Sequence, residues 1–329
     1  MAQPKHIGQS RLKEVLRRQD PPKCSPDYDP AIRATREEAP ARSRPAQVWS
    51  DKLGRYCHAL SSVEQKALLV ALYNPSLFEI HEQRMLATEA RPHPLSSHER
   101  ATGMILHPLR GTIDVCERLD VINHHHWIYI DHPDGPGRVP VPFPFIGDFL
   151  LFLADEAGPY CVNWTIKGSK EEFSSRLILA DKPARAPAKE RTAVEMRHAI
   201  EERYYLDAGI PTIRIVDRDL PDMFLQNIRS LLLMMHRAPE LDAGIYAELC
   251  ERLQASTRTT QRPLDILLSM VHRYDVSLDA LRSAFGRALW QRDVRAELMD
   301  EAIFIDHPLK AERRDPIAVF ASWFSRQTA

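Results

Sequence analysis

Two carboxylates and a lysine carry the chemistry expected of this chain: Glu64, Asp148 and Lys167. Carboxylate oxygens take a hard divalent cation such as Mg2+. The cation polarises a phosphate and acidifies a water, while an ammonium orients that water or offsets developing charge. The set suits metal-dependent phosphodiester hydrolysis. A plainer reading of the same residues makes Glu64 a capping-box glutamate and puts Lys167 on a solvated face.

The elements around these residues decide whether they can meet. Ser61-Ser62-Val63-Glu64 opens a helix with a capping-box pattern. Glu64 shares a helical face with Ala67, Leu68 and Ala71, which directs it inward. Residues 149–153 are apolar throughout, as a central strand should be. Turn chemistry follows at 155–159, and 160–167 alternates. Tyr160, Val162, Trp164 and Ile166 lie on one face, with Cys161, Asn163, Thr165 and Lys167 on the other. Antiparallel pairing across that turn brings Asp148, at one strand's start, to the sheet edge where Lys167 ends the next.

A helix over 190–208 stops at Gly209-Ile210-Pro211, a short strand covers 212–216, and another helix covers 222–236. This order predicts an α/β core of about 190 residues. From about residue 241 the pattern changes to three short helices at 245–254, 264–274 and 277–291, with Ser277 as an N-cap. A β-ribbon is expected at 294–298 and 302–306, which completes the outline of a winged helix. Residues 1–45 are rich in Pro and Arg and poor in apolar periodicity, and read as a flexible basic arm. The expected organisation is thus an arm over 1–45, a core domain over 46–238, a winged-helix domain over 239–315 and a tail over 316–329.

Composition excludes several classes. The longest apolar stretch, 149–154, is far short of a membrane span, and the first twenty residues lack the apolar core of a secretory signal. The five cysteines are scattered and never in a C-x-x-C spacing, which argues for a reducing, cytosolic setting and against a structural zinc ribbon. No Gly-rich phosphate loop is present. The net charge of −1 hides unlike parts: 34 of the 44 basic residues are Arg, and residues 1–44 hold ten basic against six acidic side chains. Residues 110–164 hold three basic and eight acidic, an acidic pocket that should repel DNA until a divalent metal enters.

Other candidates are weaker. His124-His125-His126 lacks a carboxylate or Cys at ligand spacing and reads as a surface loop. His81-Glu82 lacks the second His of a zincin motif. Glu201 sits where a further metal carboxylate could approach, or forms an ordinary helix-surface pair with Arg197. Lys170, Lys182, Arg185, Lys189 and Arg191, just after the lysine strand, are candidates for a phosphate-contacting rim or simply a solvated loop.

The stretch 47–55 (Gln-Val-Trp-Ser-Asp-Lys-Leu-Gly-Arg) leads through His58-Ala59-Leu60-Ser61-Ser62-Val63-Glu64 to Phe78-Glu79-Ile80-His81-Glu82-Gln83. Further on come His107-Pro108, Arg110-Gly111, Gly147-Asp148-Phe149, Ile166-Lys167 and Glu201-Glu202-Arg203-Tyr204-Tyr205 running into Gly209-Ile210-Pro211. Over about 45–235 this resembles the TnsA family, the endonuclease subunit of heteromeric cut-and-paste transposases. The resemblance implies a restriction-endonuclease-like core with a mixed sheet flanked by helices, then a winged-helix domain. It implies cleavage of the 5′ ends of a transposon in double-stranded DNA. The expected partners are a TnsB-type integrase-fold transposase and a TnsC-type AAA+ ATPase, the latter contacted by the C-terminal region.

By position, the resemblance makes Glu64 and Asp148 the Mg2+ carboxylates, with Mn2+ able to substitute, and Lys167 the catalytic lysine. It also assigns the Ile166 backbone carbonyl to the metal. Two departures stand out. Thr165 occupies the place of a family Gln, and a hydroxyl is a poorer metal ligand than a carboxamide. Residues 111–148 are also longer than expected, with length enough for an extra hairpin; the alternative carboxylate, Asp155, falls in the turn. Thr165 also leaves room for a nuclease fold that has lost catalysis and serves as an assembly module. A free-standing restriction-type nuclease is a third reading.

Overall fold

The structure is a computed structural model that describes residues 7–41, 43–132, 135–173 and 188–326, with the side chains of 188–192 excepted. The chain is α/β with a mixed sheet and divides into two units. One takes in the described residues up to Leu68, Ser76–Asp219 and those from Trp323 on; the other is Leu69–Pro75 with Leu220–Ser322.

The first unit runs α1 (Gln9–Gln19), β1 (Ala46–Ser50), β2 (Arg55–Ala59), the start of α2 (Ser62–Tyr73), β3 (Leu77–Glu82) and β4 (Met85–Leu86). It continues through α3 (Thr112–Arg118), β5 (Trp127–Asp131), β6 (Arg138–Pro142), β7 (Phe145–Ile146), β8 (Phe149–Asp155), β9 (Gly158–Lys167), α4 (Ala188–Leu206) and β10 (Thr212–Val216). The main sheet has the order β10-β9-β8-β3. Its β3–β8 and β8–β9 pairs are antiparallel and its β9–β10 pair is parallel. Phe149 to Leu153 are all buried, which explains why β8 is apolar on both faces. One face packs on α4 through Phe152, Cys161, Ile200, Tyr204 and Tyr205. On the other, Trp164 packs against Trp323 and Phe324, and its Nε1–H donates to the Trp323 carbonyl (2.7 Å).

The expected free arm over 1–45 gives way to a packed segment over 7–41. Val15, Ala31, Ile32, Ala34 and Ala39 are buried with Leu60, Met85, Phe143 and Ile146. Arg18 is buried in a two-pronged pair with Glu38 (2.8 Å on each prong). Few apolar residues suffice here because side-chain pairs and carbonyl acceptors fasten the rest. The 111–148 stretch does contain a hairpin, β5–β6, preceded by α3. The histidines before it are not a simple surface loop: His125 is buried, its Nε2 2.9 Å from the Thr112 hydroxyl.

The second unit holds the last turns of α2 with α5 (Asp222–Met235), α6 (Ala243–Ser256), α7 (Pro263–Tyr274), α8 (Leu278–Trp290) and α9 (Pro316–Val319). Helix α5, expected in the core domain ending at 238, belongs here. It crosses α8 at Gly286, where a Cβ would lie 3.0 Å from Met234 and 3.1 Å from the Leu231 carbonyl. The N-cap of α8 is Ser277, as expected. The expected ribbon is not formed: only an isolated bridge joins Ala296 to Ala311. Side chains take the donors a strand partner would have taken. Asn227 accepts from Ile303 N–H, Gln254 from Arg295, and Glu297 from Met299 and Asp300. No helix among the described residues is long and apolar enough to cross a membrane.

Candidate active site

Strand register brings the lysine to the aspartate. Phe149 pairs with Trp164, so Asp148, one residue earlier, lies beside Thr165 and the end of β9. Asp148 Oδ2 accepts the Ile166 N–H (2.7 Å), the Lys167 ammonium (3.2 Å) and the Thr165 hydroxyl (3.4 Å). Burial works against the Asp148 charge, but Lys167 and the Ile166 N–H outweigh it and hold the carboxyl well below the usual range. Burial likewise opposes the Lys167 charge, and Asp148 keeps its pKa raised. The Ile166 carbonyl, assigned to the metal by the family resemblance, accepts from Lys167 Nζ (2.7 Å).

Glu64 satisfies both readings of its sequence position. Ser61 Oγ accepts its N–H (3.1 Å), and its carboxylate accepts the Leu60 N–H (2.8 Å) and the Ser61 hydroxyl (3.1 Å), closing a capping box. The same carboxylate is 7% exposed and accepts from Gln83 Nε2 (3.0 Å). Burial, then the Asp148 charge, pushes its pKa up to about 7. The capping glutamate is therefore also an inward-facing one.

Glu201 joins them from α4. The helix-surface pair with Arg197 is corrected: Glu201 is wholly buried, and the Arg197 guanidinium meets the His126 ring (3.2 Å). Gly147 makes the room, since a Cβ there would stand 3.2 Å from Glu201 Oε1. Asn163 Nδ2 donates to that oxygen (3.3 Å). Burial and Asp148 push the Glu201 pKa up to about 7. His198, one turn earlier, is held down to about 3 by burial and by Lys167, so its ring is neutral.

Three buried acceptor oxygens at this site find no hydrogen-bond partner: Gln83 Oε1, Asn163 Oδ1 and Glu201 Oε2. Buried oxygens are normally paired. Carboxylate and carboxamide oxygens left unpaired beside ionised Asp148 form a donor set of the hard kind that Mg2+ or Mn2+ takes. These donor types suit a divalent cation by their chemistry, but Glu64, Asp148 and Glu201 do not bring one ligand atom each within 4.8 Å of one another.

The sequence reading missed Gln83, Asn163 and His198 as site residues. Asn163 was findable, because it shares the alternating face of Thr165 and Lys167. Gln83 depends on a left-handed turn after β3 (φ 49°), where its N–H donates to the Asp148 carbonyl (2.7 Å); no local signal announces that. Thr165 is fully buried and gives its proton to Asp148. Asp155 is exposed at the far end of the β8–β9 hairpin and pairs with Arg326 (2.6 Å). Lys170 is exposed. Lys182 and Arg185 lie outside the described residues, and of Lys189 and Arg191 only the backbone, in α4, is described.

The group that does bring three ligand atoms within 4.8 Å of one another among the described residues is Cys24, Glu79 and His81. Its Glu79 oxygens and His81 Nδ1 are engaged, whereas His81 Nε2 is buried without a hydrogen-bond partner. Glu79 accepts from the Ser25 N–H and hydroxyl, and His81 Nδ1 faces the Arg84 guanidinium at 2.5 Å. No family model matches the sequence, and no curated protein matches it.

Proposed function

We propose that the chain is a metal-dependent DNA endonuclease of the TnsA kind, cutting the 5′ ends of a transposon within a multi-subunit transposase. The observation that carries this reading is that Glu64, Asp148, Glu201 and Lys167 lie within electrostatic reach of one another, with unpaired buried oxygens on Gln83, Asn163 and Glu201. The order and pairing of β3, β8, β9 and β10, with α4 on one face, support a restriction-endonuclease-like core. The helices α6 to α8 are read as the helical part of a winged-helix, partner-binding domain, with the irregular 294–306 segment in the place of the wing. A TnsB-type transposase and a TnsC-type AAA+ ATPase are its proposed partners.

Glu64, Asp148 and Glu201, with the carboxamide oxygens of Gln83 and Asn163, would hold Mg2+. Bound there, the cation supplies Lewis-acid polarisation of the scissile phosphate and a water of lowered pKa. The chain's own residues do the rest. Asp148 stays ionised and fixes the Lys167 ammonium. Lys167, charged and anchored between Asp148 and the Ile166 carbonyl, stands ready to orient a nucleophile or offset charge on the phosphate. Neutral His198 adds no competing charge.

Lys167→Ala or Asp148→Ala should abolish 5′-strand cleavage in a reconstituted transposition reaction, by about 1,000-fold or more, while complex assembly persists. Normal cutting by Asp148→Ala would overturn the site assignment. A second reading, a catalytically impaired assembly module, is favoured by Thr165, whose hydroxyl is a poor substitute for a carboxamide ligand. Cointegrate rather than simple-insertion products from the wild-type system would decide for it.

A further inference from the structure

The first unit also contains a cavity of about 300 Å3 between residues 19–22, β4 and the 91–97 segment. Arg84, His93 and Tyr204 share its wall with Met85, Pro94 and Leu109. The polar members are unusual in kind. Arg84 is 7% exposed, and no carboxylate among the described residues lies within 4.0 Å of its guanidinium. Its one hydrogen-bond contact there is the ring Nδ1 of His81. The two glutamates of the adjoining strand are committed elsewhere: Glu82 to Arg55, and Glu79 to Ser25 and the Ile80 N–H. A guanidinium taken from water without a counter-ion is costly.

The neighbours of Arg84 present donors rather than acceptors. His93 Nδ1 accepts the Leu95 N–H (3.0 Å), so a neutral ring carries its proton on Nε2. Burial, then the Arg84 charge, lowers the His93 pKa to about 4, which keeps that ring neutral at pH 7. Tyr204 Oη accepts the Ala87 N–H (3.1 Å), which leaves its own proton to give. Asp20, also in the wall, is offset by Arg91 (2.7 Å). The Gln19 carboxamide is used up by the Asp29 carbonyl and the Met85 N–H. What remains is one positive charge and two hydrogen-bond donors at the edge of a proline- and methionine-lined hollow. Its volume is at the small end of ligand pockets.

We propose that this cavity binds a small organic anion, an apolar body with a single carboxylate or phosphate head, with Arg84 as counter-ion and His93 and Tyr204 as donors. The site is separate from the nuclease reading, and its test uses neither DNA nor divalent metal.

Isothermal titration of the full chain in metal-free buffer would use benzoate, phenyl phosphate and phenol. Benzoate or phenyl phosphate should bind one to one and at least ten-fold more tightly than phenol. The tighter of the two assigns the head group as carboxylate or phosphate. Arg84→Met should weaken that binding at least ten-fold. Should Arg84→Met fail to fold, His93→Phe should weaken it at least three-fold. No saturable binding of either anion to the wild-type chain would overturn the proposal. So would unchanged affinity in the folded Arg84→Met variant, or in His93→Phe where that variant stands in for it.

Discussion

Two buried charged clusters lie close together along β3 and the turn after it. In the first, Arg55 grips Glu82 with both prongs (2.6 and 2.9 Å), and the His58 N–H completes the set (3.0 Å). Glu79 accepts from Ser25 N–H (2.5 Å), Ser25 Oγ (2.8 Å) and Ile80 N–H (2.9 Å). Every carboxylate oxygen there has a donor. In the second, the Lys167 ammonium bonds Asp148 and acts on Glu64 and Glu201 only through longer-range charge, and three carboxamide or carboxylate oxygens have no partner. The first cluster is complete without help from outside the chain. The second sets three buried carboxyl groups against one ammonium and leaves buried oxygens unpaired. Burial alone does not distinguish them; hydrogen-bond saturation does.

The largest test of this contrast is Glu82→Ala. It removes the two-pronged partner of buried Arg55, leaving the longer pair with Glu79 (3.7 Å), and should cost about 3 kcal/mol in urea unfolding at pH 7.5. Glu64→Gln, in metal-free buffer, should cost little or nothing. The oxygen that accepts from Leu60 and Gln83 is retained, and the Ser61 hydroxyl can turn to accept from the new amide. Equal losses in the two variants would erase the difference.

Metal should separate the clusters next. Mg2+ at about 100 times its Kd should stabilise the wild-type chain by about 2.7 kcal/mol. Gln83→Leu should reduce that increment, and Asp148→Ala should remove it, as read by thermal unfolding with and without the ion. An increment that survives in Asp148→Ala would place the ion elsewhere.

The smallest effect sharpens the contrast from the saturated side. Glu38 is partly buried, which raises its pKa, but the two-pronged bond from Arg18 and the Arg33 N–H carry it down to about 2. A folded-state pKa below the ordinary 4.5 means the pair stabilises above pH 4.5 and loses that contribution as pH falls toward 2. The stability gap between wild type and Glu38→Gln should be present at pH 6 and close toward pH 2. A gap independent of pH would show that Glu38 acts through packing instead of charge.

The sheet and the meeting of Asp148 with Lys167 were legible because strand alternation and a turn are local signals that fix which residues share an edge. The helices over 245–291 were legible for the same reason, down to the Ser277 cap. What escaped was set by distant partners. Residues 7–41 looked like an arm because their apolar residues are few, yet Arg18 and Glu38 fasten them through a non-local pair. The 294–306 ribbon failed because Asn227, Gln254 and Glu297 offer its backbone better-placed acceptors than a second strand. Glu201 read equally as a carboxylate approaching the site and as half of a surface pair at i,i+4 spacing; the neighbouring glycine at 147 makes the room for the inward position.

The contact of Trp164 with Trp323 and Phe324 has a consequence for how the molecule comes into being. The strand that carries Lys167 on one face receives its backing, on the other, from residues made after the whole of Leu220–Ser322. Tyr160 O–H to the Phe324 carbonyl (2.8 Å) and Arg326 to Asp155 fasten the same return. A ribosome still working on the second unit therefore holds a four-stranded sheet whose Trp164 face lacks this cover. The strand end that joins Lys167 to Asp148 gains its backing late, when the segment that covers Trp164 has been delivered.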